Sequence, residues 1–262
     1  MLKAFSTAAT GMAGQQMMVD VIANNLANIN TTGFKRSQIN FQDLLYLKII
    51  QPGSEIASGI NSPTGLEIGS GVRASATVKV FTVGELENTG RSLDVAIYGD
   101  GFLQVTLPNG DTRYTRDGAL QVNVNGQLVT TTGYALEPAI TIPTDAVAVD
   151  IGKDGTVNVT DGSGTQSVVG TMQLVRFPNP AGLSNEGDNM FAETAASGTA
   201  VTGTAGESGF GSIQSGMLEK SNVQMVTELV NLITAQRAYE VNARAIRAGD
   251  EILRTATNIG RS

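Results

Sequence analysis

Residues 232–253, LITAQRAYEVNARAIRAGDEIL, place an apolar side chain at every seventh position. These positions are Leu232, Tyr239, Ile246 and Leu253. Near the other end of the chain, Phe5, Met12, Val19 and Leu26 repeat at the same spacing. A seven-residue apolar repeat predicts an amphipathic helix that packs along one stripe. A terminal helix of this kind needs a partner, which lies either elsewhere in the chain or in another molecule.

Turn-forming and capping residues predict where each helix begins and ends. The first helix is predicted from about Leu2 to Asn28, because the turn-forming run 30–33 ends it. The second is predicted to open with a Ser221 to Gln224 capping box and to continue to about Asn258. Two ion pairs at i,i+4 spacing are expected to support the second helix, Glu240 with Arg244 and Asp250 with Arg254.

The amino-acid composition excludes several classes of function. The 262 residues include no Cys, His or Trp. Disulfides, thiolate nucleophiles and histidine-based catalysis or metal binding are therefore excluded. The net charge of −7 and the lack of a basic run argue against nucleic-acid binding. No apolar stretch is long enough to predict a helix that spans a membrane. The N-terminal segment lacks the continuous apolar run of a cleavable signal peptide, which fits either a cytoplasmic protein or export without signal cleavage.

The middle of the chain predicts β-structure. Residues 72–80 alternate apolar and polar side chains, which is typical of a half-buried strand. Asn109-Gly110, Asn125-Gly126 and Asp154-Gly155 predict two-residue hairpin turns. One further strand is expected over 168–177, and residues 195–211 are expected to form a loop or irregular edge. The fold class is therefore α+β: long terminal helices forming a coiled-coil layer, with an inserted, mostly antiparallel all-β domain.

The connector 31–71 is rich in Gly and Pro and carries an apolar segment at 41–50. It predicts an extended connecting arm that docks against another surface rather than a free linker. The domain boundaries follow: a helical domain of 1–30 and 222–262, a connecting domain of 31–71 and 212–221, and a β-rich domain of 72–211.

Candidate chemical sites are weak. Residues 150–161 resemble a calcium loop in outline, but Gly152 occupies the third position and Asp161 the twelfth, so a plain hairpin is the preferred interpretation. The Gly pairs at 69–71 and 99–101 lack nucleotide-loop spacing. Asp94, Asp100 and Asp117 are carboxylates that the sequence does not pair. No catalytic, cofactor-binding or metal-binding residue is predicted.

Four segments form motifs: residues 24–36 (NNLANINTTGFKR), Ser221-Asn-Val, residues 235–242 (AQRAYEVN) and residues 93–102 (LDVAIYGDGF). Together they resemble the bacterial flagellar rod and hook axial protein family. Tyr98 lies where that family's pattern has a smaller polar residue. The residues that carry the terminal resemblance are Asn25, Leu26, Asn28, Asn30, Thr32, Gly33, Phe34, Gln236, Arg237, Ala238, Tyr239 and Asn242. The segments FQDLLY (41–46), QPG (51–53) and GLEIGSGV (65–72) further resemble the distal-rod branch of that family.

The resemblance implies a structural subunit, not an enzyme, that polymerises helically into the distal rod and encloses the export channel. Implied partners are other copies of the chain, other rod proteins, hook or hook-junction proteins, the P-ring and L-ring proteins and the type III export apparatus. The implied subunit-packing positions are Phe5, Met12, Val19, Leu26, Leu232, Tyr239, Ile246 and Leu253. The implied rod-stiffening arm contains Tyr46, Pro52, Gly53, Gly65, Gly69 and Gly71.

Three alternatives remain open at this point. The chain could be a hook or proximal rod subunit of the same family. It could be a soluble β-domain that binds a carbohydrate or peptide and oligomerises through its helices. The stripes alone would also fit an intramolecular helical hairpin that covers the β-domain.

Overall fold

The computed structural model describes residues 2–53, 55–57, 60–207 and 209–259. The chain divides into two compact units. The first comprises Met1–Leu26, Ser37–Val78 and Gln224–Ser262, and the second comprises Ala27–Arg36 and Lys79–Val223. The α+β prediction is confirmed, since one long helix lies near each end and the strand pairs of the second unit are antiparallel.

The first unit contains both helices and a set of short strands. Its elements are α1 (Leu2–Ala27), β1 (Ser37–Asp43), β2 (Leu47–Ile50), β3 (Glu55–Ala57), β4 (Ile60–Asn61), β5 (Leu66–Ile68), β6 (Val72–Lys79) and α2 (Met225–Ile259). Strand β1 pairs with β6, β2 with β5 and β3 with β4, each as a separate two-stranded ribbon. A two-stranded ribbon is marginal on its own, so these ribbons depend on what they pack against.

The β1–β6 ribbon packs on α1. A Cβ at Gly14 would lie 3.2 Å from the Phe41 ring and 3.6 Å from Cγ2 of Val72. A Cβ at Gly71 would collide with the Thr10 hydroxyl. Small residues therefore let the ribbon approach the helix closely. Strand β6 confirms the predicted strand, but the predicted half-burial is wrong, because all eight of its side chains are exposed or only partly covered.

The second unit contains the remaining strands. They are β7 (Leu86–Asn88), β8 (Val95–Tyr98), β9 (Phe102–Thr106), β10 (Thr112–Thr115), β11 (Leu120–Val122), β12 (Leu128–Thr130), β13 (Ala135–Glu137), β14 (Ala146–Ile151), β15 (Thr156–Asp161), β16 (Gln166–Thr171), β17 (Gln173–Arg176), β18 (Ser184–Gly187), β19 (Met190–Ala192), β20 (Val201–Thr204), β21 (Ser212–Ser215) and β22 (Met217–Glu219), with a 3-10 turn at Pro180–Gly182.

These strands form one nine-stranded sheet and several smaller ones. The large sheet runs β11-β12-β13-β9-β10-β19-β18, with β17 pairing β9 and β20. A three-stranded sheet, β14-β15-β16, and the pairs β8–β21 and β7–β22 complete the unit. The main core is aliphatic and includes Val105, Leu120, Val157, Leu174 and Ile213, all fully buried. A second core is aromatic, with Phe102, Tyr114, Phe177 and Phe191 in edge-to-face contact.

The three predicted hairpins form, but their turns differ from the prediction. At the first, the Gly110 N–H donates to the Leu107 carbonyl and the Leu107 N–H donates to the Asp111 carbonyl. The same pattern recurs at Gly126 and Gly155. Only the glycine of each Asx-Gly pair has a positive φ, which defines a three-residue loop with a glycine bulge rather than a two-residue turn.

Three other sequence predictions need correction. The apolar stretch 168–177 is divided at the buried Met172 between β16 and β17, which belong to different sheets. The stretch 195–211, predicted to form a loop or irregular edge, contains the regular strand β20, which pairs with β17. Of the two predicted ion pairs in α2, Asp250 with Arg254 forms at 3.0 Å, whereas the described chain shows none between Glu240 and Arg244.

The predicted capping box is also wrong. The Ser221 hydroxyl accepts a hydrogen bond from the Val223 N–H, two residues on, and α2 begins at Met225. Gln224 instead occupies the start of the helix, where its carbonyl accepts from the Glu228 N–H. Local side-chain bonding by a serine competes with helix capping, and here it forms a turn instead.

Acidic side chains brace the turns around β15. Oδ1 of Asp161 accepts from the Ser163 hydroxyl at 2.6 Å and from the Thr165 N–H at 3.0 Å. Oδ1 of Asp154 accepts from the Thr156 hydroxyl at 2.7 Å. These hydrogen bonds lower the pKa of both carboxyls below 3.8. The calcium-loop segment is thus a hairpin, as preferred above.

The D154N/D161N double variant is predicted to be less stable than the parent at neutral pH and equally stable in strong acid. Asn keeps the accepting oxygen but cannot ionise. A carboxyl whose folded pKa is depressed stabilises the fold above its unfolded value, and this advantage disappears as the pH falls through the folded pKa. Burial raises the pKa of Asp117, so its contribution to stability changes with pH in the opposite direction. Asp117 is present in both proteins, so this contribution cancels in the comparison. Urea unfolding at pH 7 and at successively lower pH measures the difference. Asp145→Asn, an exposed site outside these turns, is the control, and a pH-independent difference contradicts the prediction.

Candidate functional site

The two helices contact each other in antiparallel orientation within the first unit. A Cβ at Gly249 would lie 2.8 Å from Cζ of Phe5, and a Cβ at Gly11 would lie 3.0 Å from Nδ2 of Asn242. Phe5 thus lies against Gly249 and Gly11 against Asn242, so the two helices run in opposite directions. A larger residue at Gly11 or Gly249 would push the helices apart, so these two glycines allow α1 and α2 to pack closely.

The predicted subunit-packing positions occupy this helical pair. Seven of them are partly buried in the single chain, and Tyr239 is 42% exposed. Residues Val19 and Tyr239 line a groove of about 510 Å³ between the helices, together with Gln16, Gln236 and Glu240. The packing positions are therefore neither fully covered nor fully free in the isolated chain.

Helix α2 also carries a second apolar stripe, which the seven-residue repeat does not include. It consists of Val226, Val230, Ile233 and Val241, which are between 51% and 75% exposed. At 3.6 residues per turn these residues lie on one side of the helix, and Ala235, Asn242 and Gly249 lie on the opposite side. Because Asn242 and Gly249 face α1, the stripe faces away from it. Helix α2 therefore contacts α1 on one side and exposes apolar side chains on the opposite side.

The N-terminal motif is built into backbone turns. The Asn25 amide pairs with Ser37 through two hydrogen bonds, Nδ2 to the Ser37 carbonyl at 2.8 Å and the Ser37 N–H to Oδ1 at 2.9 Å. Thr31 donates to the Asn28 side chain, and Asn30 is exposed. The Thr32 hydroxyl donates to Asp117 at 2.8 Å.

Gly33 and Phe34 complete that motif. Gly33 has φ +68, and its N–H donates to the Glu219 carbonyl at 2.8 Å. A Cβ there would lie 2.7 Å from the backbone carbonyl carbon of Arg116. The Lys79 ammonium lies 4.2 Å above the centre of the Phe34 ring, a cation–π contact. Gly33 and Phe34 therefore hold this turn of the chain in place within the second unit.

A buried ion network lies beside this motif. Glu219 Oε1 accepts from Lys35 Nζ at 2.5 Å and from the Gly84 N–H at 2.8 Å. Its other oxygen accepts from Arg116 Nη1 at 3.3 Å. Lys35 also donates to the Thr82 carbonyl, and Arg116 donates to the Gly99 carbonyl at 2.7 Å. All three ionic side chains are essentially inaccessible to solvent.

The electrostatics of this network follow from burial. Two cations share one carboxylate, so the triad carries a net positive charge. Burial is the main cause that lowers the pKa of Lys35. The Glu219 carboxylate raises that pKa, and the Arg116 charge lowers it further. Burial likewise lowers the pKa of Arg116, against the opposing effect of Glu219. A buried network of this kind fixes a particular arrangement of the segments that supply it.

Asn222 ties together two of the same segments. Its Oδ1 accepts from the Arg36 N–H at 2.7 Å, and its Nδ2 donates to the Val80 carbonyl at 2.8 Å. The Val80 N–H in turn donates to the Arg36 carbonyl at 2.9 Å. Lys35 and Asn222 lie inside the quoted motifs, which was the only sequence signal for them. Arg116 and Glu219 were not anticipated.

The predicted arm residues come together in pairs. A Cβ at Gly65 would lie 2.7 Å from the Ile50 carbonyl oxygen and 2.8 Å from Cδ of Pro52. A Cβ at Gly69 would lie 3.5 Å from the Tyr46 ring. Gly53 has φ +82, and its N–H donates to the Ser62 carbonyl. These glycines and the proline shape the loop ends of the β2–β5 ribbon.

That ribbon is amphipathic. Cross-strand pairing joins Leu47 to Ile68 and Ile50 to Leu66, while Lys48 faces Glu67. The irregularity between Lys48 and Ile50 places Leu47 and Ile50 on the same face. The four apolar side chains of that face are 42% to 49% exposed. The ribbon thus presents an apolar face that its own unit leaves partly uncovered.

The three carboxylates considered above do not form one site. Asp94 is buried and accepts from the Thr89 hydroxyl at 2.6 Å. Asp117 accepts from Thr32 and from the Ala119 N–H, and burial raises its pKa. Asp100 is exposed. Over the described ranges, the structure contains no cluster of three or more acidic side chains suited to a metal ion. Neither helix is long and apolar enough, within its described residues, to cross a membrane.

Three family profiles match the chain. Residues 5–35 match the family described as flagella basal body rod protein. Residues 96–159 match the flagellar hook protein FlgE/F/G D1 domain, and residues 214–259 match the flagellar basal body rod FlgEFG protein C-terminal family. These matches define the class, the rod and hook proteins of the bacterial flagellum.

Individual relatives narrow the class. The chain is 46% identical over 260 residues to the flagellar basal-body rod protein FlgG of Caulobacter vibrioides, covering 98% of this chain and 99% of that protein. It is 44% identical to FlgG of Buchnera aphidicola from Schizaphis graminum, over 95% and 96% of the two chains, and 42% identical to FlgG of Borreliella burgdorferi over 100% of both. The chain therefore belongs to the FlgG family of flagellar basal-body rod proteins. As a member of that family it is a structural subunit of the rod of the flagellar basal body.

Proposed function

We propose that this subunit polymerises helically through its terminal helices into the distal rod, the shaft that transmits motor torque to the hook and encloses the export channel. The observation that carries the proposal is the apolar stripe on α2 that faces away from α1. A helical polymer needs a heterologous contact that repeats without closing. The exposed apolar stripe of α2 is a surface that such a contact with another copy could cover.

The layers of the polymer follow the predicted domains. Residues 1–30 and 222–262 form a coiled-coil inner layer, 72–211 the outer layer, and 31–71 with 212–221 the connection between them. The packing positions Phe5, Met12, Val19, Leu26, Leu232, Tyr239, Ile246 and Leu253 stabilise the inner layer. Their partial burial in the single chain is compatible with further burial between copies.

The arm stiffens the shaft in this proposal. The apolar face of the β2–β5 ribbon supports a contact with a neighbouring subunit, because exposed apolar ribbons of this kind gain stability by being covered. Part of the N-terminal family motif acts differently, since Asn25, Thr32 and Gly33 hold backbone turns in place.

The proposed partners are further copies of the chain, the other rod proteins, hook or hook-junction proteins, and the P-ring and L-ring proteins around the rod. The subunit reaches this position through the flagellar type III export apparatus, without a cleaved signal peptide. Family membership supports assembly with rod and hook proteins.

Val19→Asp is predicted to abolish polymerisation while leaving the β-rich unit folded. Val19 lines the groove between α1 and α2, so a carboxylate there is desolvated when another helix covers the groove. Sedimentation and electron microscopy of the purified full chain measure assembly, and circular dichroism measures folding. Val168→Asp, on an exposed strand residue of the second unit, is the matched control and should assemble normally. A V19D protein that still forms normal polymers contradicts the assignment of the helical pair as the polymerisation surface.

A further inference from the structure

The dipeptide Asn-Gly occurs twice in the chain, at 109–110 and at 125–126. Each pair lies at the tip of a hairpin in the second unit, and the two tips have nearly the same backbone. In both, the glycine N–H donates to the carbonyl three residues earlier at 2.9 Å, and the glycine φ is +87 in the first and +82 in the second. Both asparagines are exposed to solvent. The two turns are therefore a matched pair for comparing the surroundings of the asparagine side chains.

The side chain of Asn109 is held by Asp111. Its Nδ2 donates to Oδ2 of Asp111 at 2.8 Å, and its Oδ1 accepts from the Asp111 N–H at 3.0 Å. Nη2 of Arg113 lies 3.5 Å from the same Oδ2 and helps to orient the carboxylate. Both ends of the Asn109 amide are thus bound, so this side chain rotates only when two hydrogen bonds break.

The side chain of Asn125 lacks these restraints. Within the part of the chain that the structure describes, its amide has no hydrogen-bond partner. The residue two positions on is Gln127, and its N–H donates to Oδ1 of Asn123 at 2.9 Å instead. The Asn125 N–H donates to the same oxygen at 2.9 Å. The backbone of this turn is therefore fixed, whereas the Asn125 side chain is free to rotate.

We propose that Asn125 is a site of deamidation, and that Asp111 protects Asn109 from the same reaction. The Gly126 nitrogen loses its proton to hydroxide and bonds to Cγ of Asn125. The bond from Cγ to Nδ2 breaks, and ammonia leaves with a proton from water, which regenerates the hydroxide. Glycine suits this step because it has no Cβ to hinder the approach of its own nitrogen. One water molecule then opens the resulting succinimide ring at either carbonyl, which leaves aspartate or isoaspartate at position 125.

The two products affect the turn differently. Both add a negative charge at an exposed hairpin tip. Isoaspartate also carries the main chain through the former side chain, which lengthens the backbone between residues 125 and 126 by one methylene. The Gly126 carbonyl accepts from the Ile142 N–H at 2.7 Å, and the Gly126 N–H donates to the Asn123 carbonyl at 2.9 Å. A lengthened turn would displace Gly126 from both hydrogen bonds, so isoaspartate should loosen the β11–β12 hairpin more than aspartate does.

Peptide mapping by mass spectrometry tests the proposal on the folded full-length chain. The protein is incubated at mildly alkaline pH, and the mass gain of deamidation is followed in the peptides that contain residues 109 and 125. Asn125 should react about tenfold faster than Asn109, because rotation of the Asn109 side chain first requires two hydrogen bonds to break. A protease that cleaves before aspartate but not before isoaspartate separates the two products. Equal rates, or a faster reaction at Asn109, would overturn the proposal.

Two further measurements show whether the hydrogen bonds cause the difference. Asp111→Ala should raise the rate at Asn109 to about that at Asn125 and leave Asn125 unchanged. In guanidinium chloride, where both turns are unfolded, the two sites of the unaltered chain should react at similar rates. A D111A protein in which Asn109 stays slow, or a difference that persists in the unfolded chain, would show that Asp111 does not protect Asn109. The proposal does not depend on polymerisation, so these results leave the proposed function unaffected.

Discussion

Replacing Glu219 with Gln is expected to lower the free energy of unfolding by about 3–5 kcal/mol, because the change leaves two buried cations without their counter-charge. Glu219 contacts Lys35 at 2.5 Å and Arg116 at 3.3 Å, and all three side chains are buried. Glutamine preserves the volume of the side chain, so the loss reports charge rather than packing. Urea unfolding followed by circular dichroism measures it.

The two cationic partners allow a sharper version of the test. Lys35→Met removes the excess positive charge and leaves Glu219 paired with Arg116, so it should cost less than E219Q. The expected cost is about 1–3 kcal/mol, chiefly for the hydrogen bond to the Thr82 carbonyl. If E219Q and K35M lower the free energy of unfolding by the same amount, the net charge of the triad does not control stability.

The surface supplies a matched control. Glu87 pairs with Lys220 at 3.1 Å, and both side chains are about half exposed. Glu87→Gln should cost less than about 1 kcal/mol, as exposed ion pairs usually do. An E219Q protein as stable as E87Q would show that the buried triad contributes little to the stability of the second unit.

The sequence predicted what depends on local spacing. The helical stripes follow from a seven-residue repeat, and the hairpins follow from Asx-Gly pairs between apolar runs, so helices and hairpins appeared where expected. The turn geometry did not, because the positive φ of Gly110 alone does not distinguish a two-residue from a three-residue loop. The division at Met172 was missed because both resulting strands continue the same apolar run.

The buried network could not be predicted from the sequence. Lys35 and Glu219 are separated by 184 residues, and Arg116 and Glu219 by 103. No periodicity or motif spacing relates charges that are so far apart, and a lone charged residue usually lies on the surface. The resemblance identified the segment around Lys35 and Asn222, but only the fold shows that these side chains hold backbone segments together.

Replacing Gly33 with Ala is expected to cost about 3 kcal/mol or more. Its φ of +68 disfavours any residue with a Cβ by about 1–2 kcal/mol. In addition, the new Cβ would lie 2.7 Å from backbone atoms of Arg116 and Asp117, which cannot rotate away. Overpacking of this kind typically costs about 1–3 kcal/mol. The Gly33 N–H to Glu219 carbonyl bond would be displaced together with the turn.

Gly90 separates these two contributions. Its φ of +70 is nearly the same, but no atom lies within 4 Å of the position of its Cβ. Gly90→Ala should therefore cost only about 1–2 kcal/mol for its backbone conformation. Gly33→Asn provides the third comparison, because asparagine tolerates a left-handed backbone but still carries a Cβ. If close packing against the Arg116 backbone dominates, urea unfolding will show G33N almost as unstable as G33A. A G33N protein near wild-type stability would instead mean that the glycine is required only for its backbone angle.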